Sequence, residues 1–354
     1  MMPTSEAALA EIIASTKSAF EIFGGGTRQI GRVNEGDPLH TSGLSGITLY
    51  EPEALTLVAK AGTPMAEIEA ALAKQGQRLP FEPPDLRALQ GTKGEPTIGG
   101  VVATNASGPR RIAAGACRDS LIGVRFVDGL GRVLKNGGRV MKNVTGYDLV
   151  KLMAGSHGTL GVLTEVSFKL LPATESTATV LVKDDEASAA VTMAKALASP
   201  FDVTGAAHKH GVTALRLEGL EGSVKYRSEA LASLLGGDIA PYDWRAQRDL
   251  LDFASQTGDV WRVSVKPSDG PATANALRKH GAEEIIFDWA GGLLWALAPA
   301  GANLRPAVIN GHATLIRGSG QPAFAPEAAP LAALSKALRQ KFDPRQILNP
   351  GRMG

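Results

Sequence analysis

Apolar residues recur along the chain at two spacings, and these spacings predict its first elements. From residue 4 to residue 18, apolar side chains such as Ala8, Ile12 and Ile13 follow a helical spacing with charged residues on the other side, which predicts an amphipathic helix. Residues 19–23 are short and mostly apolar, which predicts a strand. Helix and strand patterns both continue beyond this point, so the fold class is mixed.

Alternating apolar and polar residues predict a small sheet in the first half of the chain. Residues 47–50, 55–59 and 121–128 follow this pattern. A turn at residues 129–131 separates the last of these from residues 132–135, and the two runs predict a hairpin. The other elements predicted in this half are a helix at 63–75, a short helix at 148–154 and a strand at 161–170.

Residues 63–85 carry signals for a helix start, a helix end and a linker. We expect Thr63 to cap the helix, with Pro64 at its first position and Gly76 after its end. The proline-rich residues 79–85 predict an irregular link between two halves of one ligand-binding domain.

From about Ala173 the glycine clusters disappear and strand and helix patterns alternate. The elements predicted are residues 179–182, 186–197, 214–217, 224–235, 261–265, 272–279, 285–287, 293–297, 304–309 and 314–316. Repeated units of this length predict a sheet covered by helices on one side. A helix at residues 331–342 then returns the chain to its first domain.

Composition and charge exclude several classes of protein. The 354 residues suffice for two domains, and a net charge of +2 without a long basic run argues against nucleic-acid and charge-driven membrane binding. No membrane span or signal-peptide core is recognisable, so we expect a cytoplasmic protein, or one held at the inner membrane by partner subunits. The single cysteine, Cys117, cannot by itself hold an iron–sulfur cluster or a structural zinc.

Three glycine-rich clusters are surrounded by apolar rather than polar residues. They comprise residues 24–28, residues 97–105 with the later Gly108 and Gly115, and residues 155–161. Glycines in apolar segments remove side chains where another group approaches the main chain closely. The alternative is a set of ordinary turns.

The first cluster has the chemistry of a phosphate site. Main-chain N–H groups of a glycine loop that follows a buried strand can cradle an anion, and Arg28 adds a planar set of donors. The glycine spacing is not that of the Rossmann fingerprint, and the phosphate-loop motif of nucleotide triphosphatases does not occur. Residues 24–28 are therefore a candidate pyrophosphate site.

Five motifs follow one another in a fixed order along the chain. They are Gly24-Gly25-Gly26-Thr27; Thr97-Ile98-Gly99-Gly100 with Asn105 and Gly108; Gly146-Tyr147-Asp148-Leu149; Gly155-Ser156-His157-Gly158-Thr159-Leu160-Gly161; and Asp343-Pro344-Arg345-Gln346-Ile347-Leu348-Asn349-Pro350-Gly351. This order resembles the PCMH-type FAD-binding family, also called the vanillyl-alcohol oxidase family. The short length and residues 142–148 look most like the FAD-binding E subunits of bacterial glycolate oxidases.

This resemblance implies FAD as the cofactor, with its pyrophosphate at the first cluster, its flavin at the second, and the third cluster closing over it. We expect noncovalent binding because residues 24–31 contain no histidine. The cofactor-binding residues implied are Gly24, Gly25, Gly26, Thr27, Arg28, Pro84, Thr97, Gly99, Gly100, Thr104, Asn105, Gly108, Gly115, Gly158, Gly161 and Val162.

The resemblance also implies the domain organisation of an α+β protein. We expect a PCMH-type FAD-binding domain at residues 1–172, with subdomains at about 1–82 and 86–172. An α/β cap domain that binds the substrate is expected at 173–327, and residues 328–354 are expected to return to the FAD-binding domain.

Oxidation of a 2-hydroxy acid requires a cation for the carboxylate and a base for the hydroxyl proton. Among the cations of the cap, Arg262 on a predicted strand is the preferred carboxylate ligand, with a solvated or salt-bridged arginine as the alternative. The other candidates are Arg216, Lys225, Lys266 and Arg317.

Two further catalytic candidates are His208 and Asn349. His208 and His210 would share one face of a strand, which suits a proton acceptor; an ordinary polar strand end is the alternative. Asn349 is expected to return towards the cap and the flavin. Related catalytic subunits bind a metal through a histidine pair and a later Glu-His, and because this sequence lacks that arrangement we expect no metal site.

The resulting hypothesis is an FAD-binding subunit of a glycolate oxidase or dehydrogenase complex. It would oxidise glycolate, a 2-hydroxy acid, and its electrons would pass to a larger flavin-containing subunit and an iron–sulfur subunit. Two alternatives stay open. The chain could be a non-catalytic assembly subunit that docks through the apolar residues 289–295, or a self-sufficient flavin oxidase of the same fold that uses oxygen.

Overall fold

The computed structural model describes residues 1–33, 35–138 and 146–353. The motif residues 142–145 lie outside the described residues. The chain divides into two compact units: the first comprises Met1–Ser107, Ala116–Ala173 and Pro326–Gly354, and the second comprises Gly108–Gly115 and Thr174–Ala325.

The described residues form the following helices and strands. The helices are α1 Glu6–Ser15, α2 Met65–Ala73, α3 Arg87–Gln90, α4 Ile98–Ala103, α5 Arg111–Ala114, α6 Cys117–Ser120, α7 Leu149–Met153, α8 Glu186–Leu197, α9 Glu221–Leu235, α10 Trp244–Asp249, α11 Leu251–Ala254, α12 Gly270–Lys279 and α13 Ala329–Phe342. Short 3-10 turns occur at Thr41–Gly43, Pro267–Asp269, Trp289–Gly291 and Arg305–Ala307. The strands are β1 Phe20–Phe23, β2 Asp37–His40, β3 Ile47–Glu51, β4 Thr56–Lys60, β5 Gln77–Arg78, β6 Leu121–Val127, β7 Val133–Gly137, β8 Val162–Lys169, β9 Leu171–Pro172, β10 Ser176–Lys183, β11 Val203–Lys209, β12 Val212–Gly219, β13 Asp238–Ile239, β14 Asp259–Val265, β15 Glu284–Asp288, β16 Leu293–Ala298 and β17 Gly311–Arg317.

The first unit is built on a five-stranded antiparallel sheet with the strand order β3-β4-β8-β6-β7. Helices α2 and α4 supply apolar side chains to its core, which includes Phe81, Phe126 and Phe168. The predicted hairpin, strands and helices of this unit are confirmed. One detail is wrong: the Thr63 hydroxyl bonds Lys60 O at 2.7 Å and Gly46 N at 3.0 Å, so Pro64 rather than Thr63 is the N-cap of α2.

A separate pair of parallel strands, β1 and β2, leads the chain into the first glycine cluster. Helix α1 precedes β1 and buries Leu9 and Ile13 against Phe20. Leu348 forms a parallel bridge with Phe20, so residues near 348 extend this small sheet. Strand β1 is therefore held between an early and a late segment of the chain.

The second unit is an eight-stranded antiparallel sheet with the order β13-β10-β12-β11-β15-β16-β14-β17. Helices α8, α9 and α12 pack on one face, as predicted. Strand β11 and helices α10 and α11 were not predicted, and residues 304–309 contain only a 3-10 turn at Arg305–Ala307. The α+β class with a helix-covered sheet is confirmed.

The exposure of two apolar segments decides whether either could be a docking surface for a partner subunit. Trp289 and Trp295 are buried, and β16 lies inside the eight-stranded sheet, so the predicted docking segment 289–295 is not an exposed surface. By contrast, helix α13 has no buried residue, and Leu331 and Leu334 on it are exposed. Among the described helices, none is both long enough and apolar enough to cross a membrane.

Candidate functional site

The three glycine clusters of the sequence meet at one groove in the first unit. Its wall consists of Ile22, Phe23, Gly24, Gly25, Gly26, Thr27, Arg28, Gln29, Thr41, Ala61, Thr97, Gly99, Gly100, Ala103, Thr104, Ser156, His157, Gly158, Gly161, Val162, Leu163, Asn349 and Arg352. The folded first unit therefore brings together segments that lie more than 300 residues apart.

The first cluster is a loop packed tightly against residues 94–97. A Cβ on Gly25 would lie 1.6 Å from Glu95 O, and one on Gly24 would lie 2.4 Å from the Thr97 hydroxyl. Gly26 has a φ of +68° and no neighbour within 4 Å of its Cβ position. At Gly24 and Gly25, the group that approaches the main chain closely is therefore another segment of this chain. In this loop, Gly26 differs because it is required only by its positive φ.

Main-chain donors of this loop are available to a ligand. Among the described residues, the N–H groups of Gly25, Gly26 and Thr27 have no hydrogen-bond acceptor. Three free N–H groups in one loop form a concave site for an anion. The arrangement suits a pyrophosphate.

The second cluster forms the short helix α4. Thr97 precedes α4, and its hydroxyl accepts from Gly100 N at 3.3 Å. Gly99 donates to Ala61 O at 2.7 Å, and a Cβ on Gly99 would lie at the same distance from that oxygen. A Cβ on Gly100 would meet only the Thr97 hydroxyl, at 3.3 Å, which leaves this part of the wall open to a ligand.

The third cluster packs against the C-terminal segment. A Cβ on Gly158 would lie 2.8 Å from Asn349 Nδ2, and His157 O accepts from the same nitrogen at 2.8 Å. Burial, and secondly the nearby Arg352, lower the pKa of His157 to about 4. His157 is therefore neutral at neutral pH, and it adds no positive charge to the groove.

Two arginines supply positive charge to the groove. Arg28 donates from Nη2 to the carbonyl oxygen of Pro84. Arg352 pairs with Glu21 at 2.9 Å, and its Nε is buried without a hydrogen-bond acceptor among the described residues. The sequence did not predict Arg352, although it directly follows the Asn349-Pro350-Gly351 motif.

Four of the predicted cofactor-binding residues do not line the groove. Pro84 touches it only through its bond from Arg28, and the Asn105 carboxamide oxygen accepts from Arg118 N at 3.0 Å. Gly108 and Gly115 belong to the second unit, where Gly108 O accepts from the indole of Trp289 at 3.0 Å. The remaining twelve predicted residues all lie in the wall.

The groove fits FAD by its chemistry. Free N–H groups and arginines suit the pyrophosphate, while Ile22, Phe23, Val162 and Leu163 offer apolar contact to a flat ring system. No group of three His, Cys, Asp or Glu side chains with metal-binding geometry occurs in the described part of the chain.

Asn349 holds main chain together at the edge of the groove. Its Oδ1 accepts from Ile22 N at 2.7 Å, and its Nδ2 donates to His157 O. Both ends of the carboxamide are therefore engaged with the first unit.

Arg262, the predicted carboxylate ligand, lies half-buried on β14 in the second unit. Its guanidinium stacks on the Trp289 ring at 5.0 Å, and Arg111 stacks on the same ring at 4.5 Å. Within the described ranges, Arg262 has no carboxylate partner. Burial, and secondly Arg111, lower the pKa of Arg262 to about 10, so the local field favours an anion.

His208 lies on the other face of the same sheet. It is opposite Phe287, a residue of the helix-covered core, and its Nδ1 lies 3.0 Å from the Thr213 hydroxyl. Arg262 lies opposite Trp295 and points away from that core. One small substrate cannot contact both side chains. The predicted pairing with His210 is also wrong, because His210 lies beyond β11 in an exposed turn with a φ of +51°.

A histidine that the sequence did not single out lies on the face of Arg262. His312 on β17 is opposite Ser264, two residues along β14 from Arg262. The His312 residue is exposed, and partial desolvation, followed by the charge of Arg262, lowers its pKa below the ordinary histidine value. Its neutral form, which can accept a proton, therefore persists to lower pH.

Comparisons with known proteins agree with this structure. Residues 1–137 match the family model described as an FAD binding domain. The glycolate oxidase subunit GlcE of Escherichia coli (strain K12) is 39% identical over 345 residues, which cover 96% of this chain and 93% of that relative. The glycolate oxidase subunit GlcD of Bacillus subtilis (strain 168) is 35% identical over 147 residues, covering 42% of this chain and 30% of that protein.

The fold also recurs among solved structures. A structure of alkyldihydroxyacetonephosphate synthase superimposes with a TM-score of 0.71 at 15% identity, covering 99% of this chain and 76% of that one. The match to the FAD binding domain and the similarity to the glycolate oxidase subunit show that the cofactor is FAD. Because the similarity to the glycolate oxidase subunit extends over nearly the whole of both chains, this protein belongs to the GlcE family of FAD-dependent oxidoreductases.

Proposed function

We propose that the chain is the FAD-binding subunit of a complex that oxidises glycolate to glyoxylate. The observation that carries the proposal is the 39% identity to a glycolate oxidase subunit over 96% of the chain. FAD, when bound, supplies the hydride acceptor.

Arg262 is the proposed ligand of the substrate carboxylate. The absence of a carboxylate partner in the described ranges leaves its donors available, and the neighbouring Arg111 adds to the positive field. A bound carboxylate would relieve the repulsion between the two guanidinium groups, and Arg262 can hold it through two parallel hydrogen bonds. This supports a small anionic substrate.

His312 is the proposed acceptor of the hydroxyl proton. It shares the sheet face of Arg262 and lies two residues along the neighbouring strand from Thr314, which is directly opposite Arg262. Its lowered pKa keeps the imidazole neutral near neutral pH, as a general base requires. His208, on the other face, is not proposed for this role.

Electron transfer beyond the flavin is assigned to partner subunits. The only cysteine, Cys117, is buried and its pKa is raised by burial, so this chain cannot build an iron–sulfur relay. A larger FAD-containing subunit and an iron–sulfur subunit are the proposed partners, in a cytoplasmic complex. The binding of FAD is proposed to be noncovalent.

An absorption spectrum of the purified chain tests the proposal. Acid precipitation should release yellow flavin into the supernatant, and anaerobic glycolate should bleach the flavin before release. A flavin that glycolate cannot bleach, even with both partner subunits present, would contradict the catalytic assignment and favour an assembly role. Turnover of the isolated chain with oxygen as acceptor would favour a self-sufficient oxidase.

A further inference from the structure

Residues 343–352, which we call the C-terminal clasp, tie together distant parts of the first unit. Arg345 donates to Thr16 O at 3.1 Å, beyond the end of α1, and to Gly129 O at 2.9 Å in the turn between β6 and β7. These bonds fix the start of the clasp.

The middle of the clasp is bonded to β1. Phe20 N donates to Ile347 O at 2.7 Å, and Asn349 N donates to Phe20 O at 3.0 Å. The Asn349 carboxamide adds the bonds to Ile22 N and His157 O. Strand β1 leads directly into the first glycine cluster. The bonds between the clasp and β1 therefore fix the position of that cluster relative to the clasp.

The end of the clasp brings Arg352 to the cofactor groove. Its side chain is only 10% exposed and lines the groove together with the first and third clusters. Nη2 donates to Glu21 at 2.9 Å, whereas the buried Nε has no acceptor among the described residues. A buried guanidinium with an unused donor at a ligand site is costly unless a ligand supplies an acceptor.

We propose that Arg352 is a cofactor-binding residue, positioned by Arg345 and Asn349, whose guanidinium donates to acceptor oxygens of bound FAD. The match to the FAD-binding family model ends at residue 137, so it assigns no role to this segment. The acceptors are either phosphate oxygens or carbonyl oxygens of the flavin ring. Burial lowers the pKa of Arg352, and an anionic neighbour would restore it.

The test measures the affinity of the apo-protein for FAD by flavin fluorescence titration. Arg352→Gln should weaken binding by about tenfold to hundredfold, the loss typical of a hydrogen bond to a charged group. Lys341→Gln is the matched control: it removes the same charge from an exposed position on α13 and should leave the affinity unchanged. Equal affinities for Arg352→Gln and the unsubstituted chain would overturn the proposal.

Two further measurements separate the possible acceptors. If Arg352 binds phosphate oxygens, Arg352→Gln weakens ADP binding in parallel with FAD binding and leaves the midpoint potential of bound FAD unchanged. If it binds flavin oxygens, ADP binding is unchanged and the midpoint potential becomes more negative. Should Arg352→Gln fail to fold, Arg352→Lys keeps the charge, and it must still bind FAD less tightly than the unsubstituted chain.

Discussion

The cofactor groove of the first unit and the arginine cluster of the second unit are built in different ways. The groove is made largely of main chain, and its shape depends on glycines that other backbone segments contact, such as Gly25 against Glu95 O. The cluster is made of side chains, with Arg111 and Arg262 on one indole ring. A site made of backbone leaves a signature of glycines in the sequence, whereas a site made of side chains on strands leaves none.

This difference predicts that adding one methyl group to a glycine of the groove has a larger effect than replacing a side chain of the arginine cluster. Gly25→Ala places a Cβ 1.6 Å from Glu95 O, so the loop must move, and we expect a loss of about 3 kcal/mol of stability together with FAD binding. Thermal unfolding and flavin absorbance measure both effects.

Gly26→Ala is the control for Gly25→Ala. The added Cβ would have no atom within 4 Å, so the variant should lose only the stability that a positive φ costs an alanine, about 1 kcal/mol. If Gly25→Ala and Gly26→Ala lost the same stability and the same FAD binding, close main-chain packing would not explain the glycines of the groove.

The second-largest effect concerns His312 and the pH dependence of turnover. Because the pKa of His312 is lowered, its neutral form, and with it kcat, should be lost only at a pH below the ordinary titration range of histidine. His312→Gln should reduce kcat about 100-fold and abolish this acid limb. The measurement is a pH profile of kcat in the assembled complex.

His208→Gln is the matched histidine control. Since His208 lies on the helix-covered face, it should leave the acid limb in place. An acid limb that survives in the His312 variant and disappears in the His208 variant would reverse the assignment of the base.

A smaller effect is expected for Arg262→Met. Loss of the carboxylate ligand should raise KM for glycolate about 30-fold, corresponding to about 2 kcal/mol. The melting temperature should stay constant or rise, because burial and Arg111 both disfavour the charge of Arg262. In the unsubstituted enzyme, KM should also rise above pH 10, where Arg262 loses its proton.

Arg305→Met controls for the loss of a stacked arginine. Arg305 stacks on Trp261 at 4.8 Å and bonds the main chain of Ala323 at 2.9 Å. This variant should lower stability and leave KM unchanged. If Arg262→Met instead lowered stability and left KM unchanged, as expected for Arg305→Met, Arg262 would be a structural residue.

The smallest effect is expected for Asp148→Ala. The Asp148 carboxylate caps α7 by accepting from Lys151 N at 3.0 Å, so its loss should cost about 1 kcal/mol in urea unfolding. The affinity for FAD should not change, because Asp148 is not in the groove wall. Weaker FAD binding in this variant would mean that side chains outside the wall also shape the groove.

The sequence predicted the elements whose apolar pattern is strong. Helix α8 and the hairpin of β6 and β7 have clear periods and were found. Strand β11 contains Gly205, Ala206 and Ala207, which carry little strand signal, and it exists because β12 and β15 pair with it on either side. Tertiary pairing of this kind cannot be inferred from local propensity.

The same limit applies to the candidate site. The glycine clusters located twelve residues of the groove wall, because main-chain geometry restricts which residues can occur there. Arg352 and its partner Glu21 lie 331 positions apart, and their contact has no local pattern. His312 was missed because a single histidine on a strand looks the same whether or not a charged arginine lies near it.

The clasp has a consequence for how the protein is made in the cell. Strand β1 and the glycine loop after it are synthesised long before the clasp, yet bonds to Phe20 and Ile22 come from residues 347 and 349. Between them the ribosome must produce the whole of Thr174–Ala325, a unit with its own core that can fold while translation continues. A nascent chain therefore cannot complete its cofactor groove until residue 352 has been translated. Loading with FAD is thus expected to follow translation rather than accompany it.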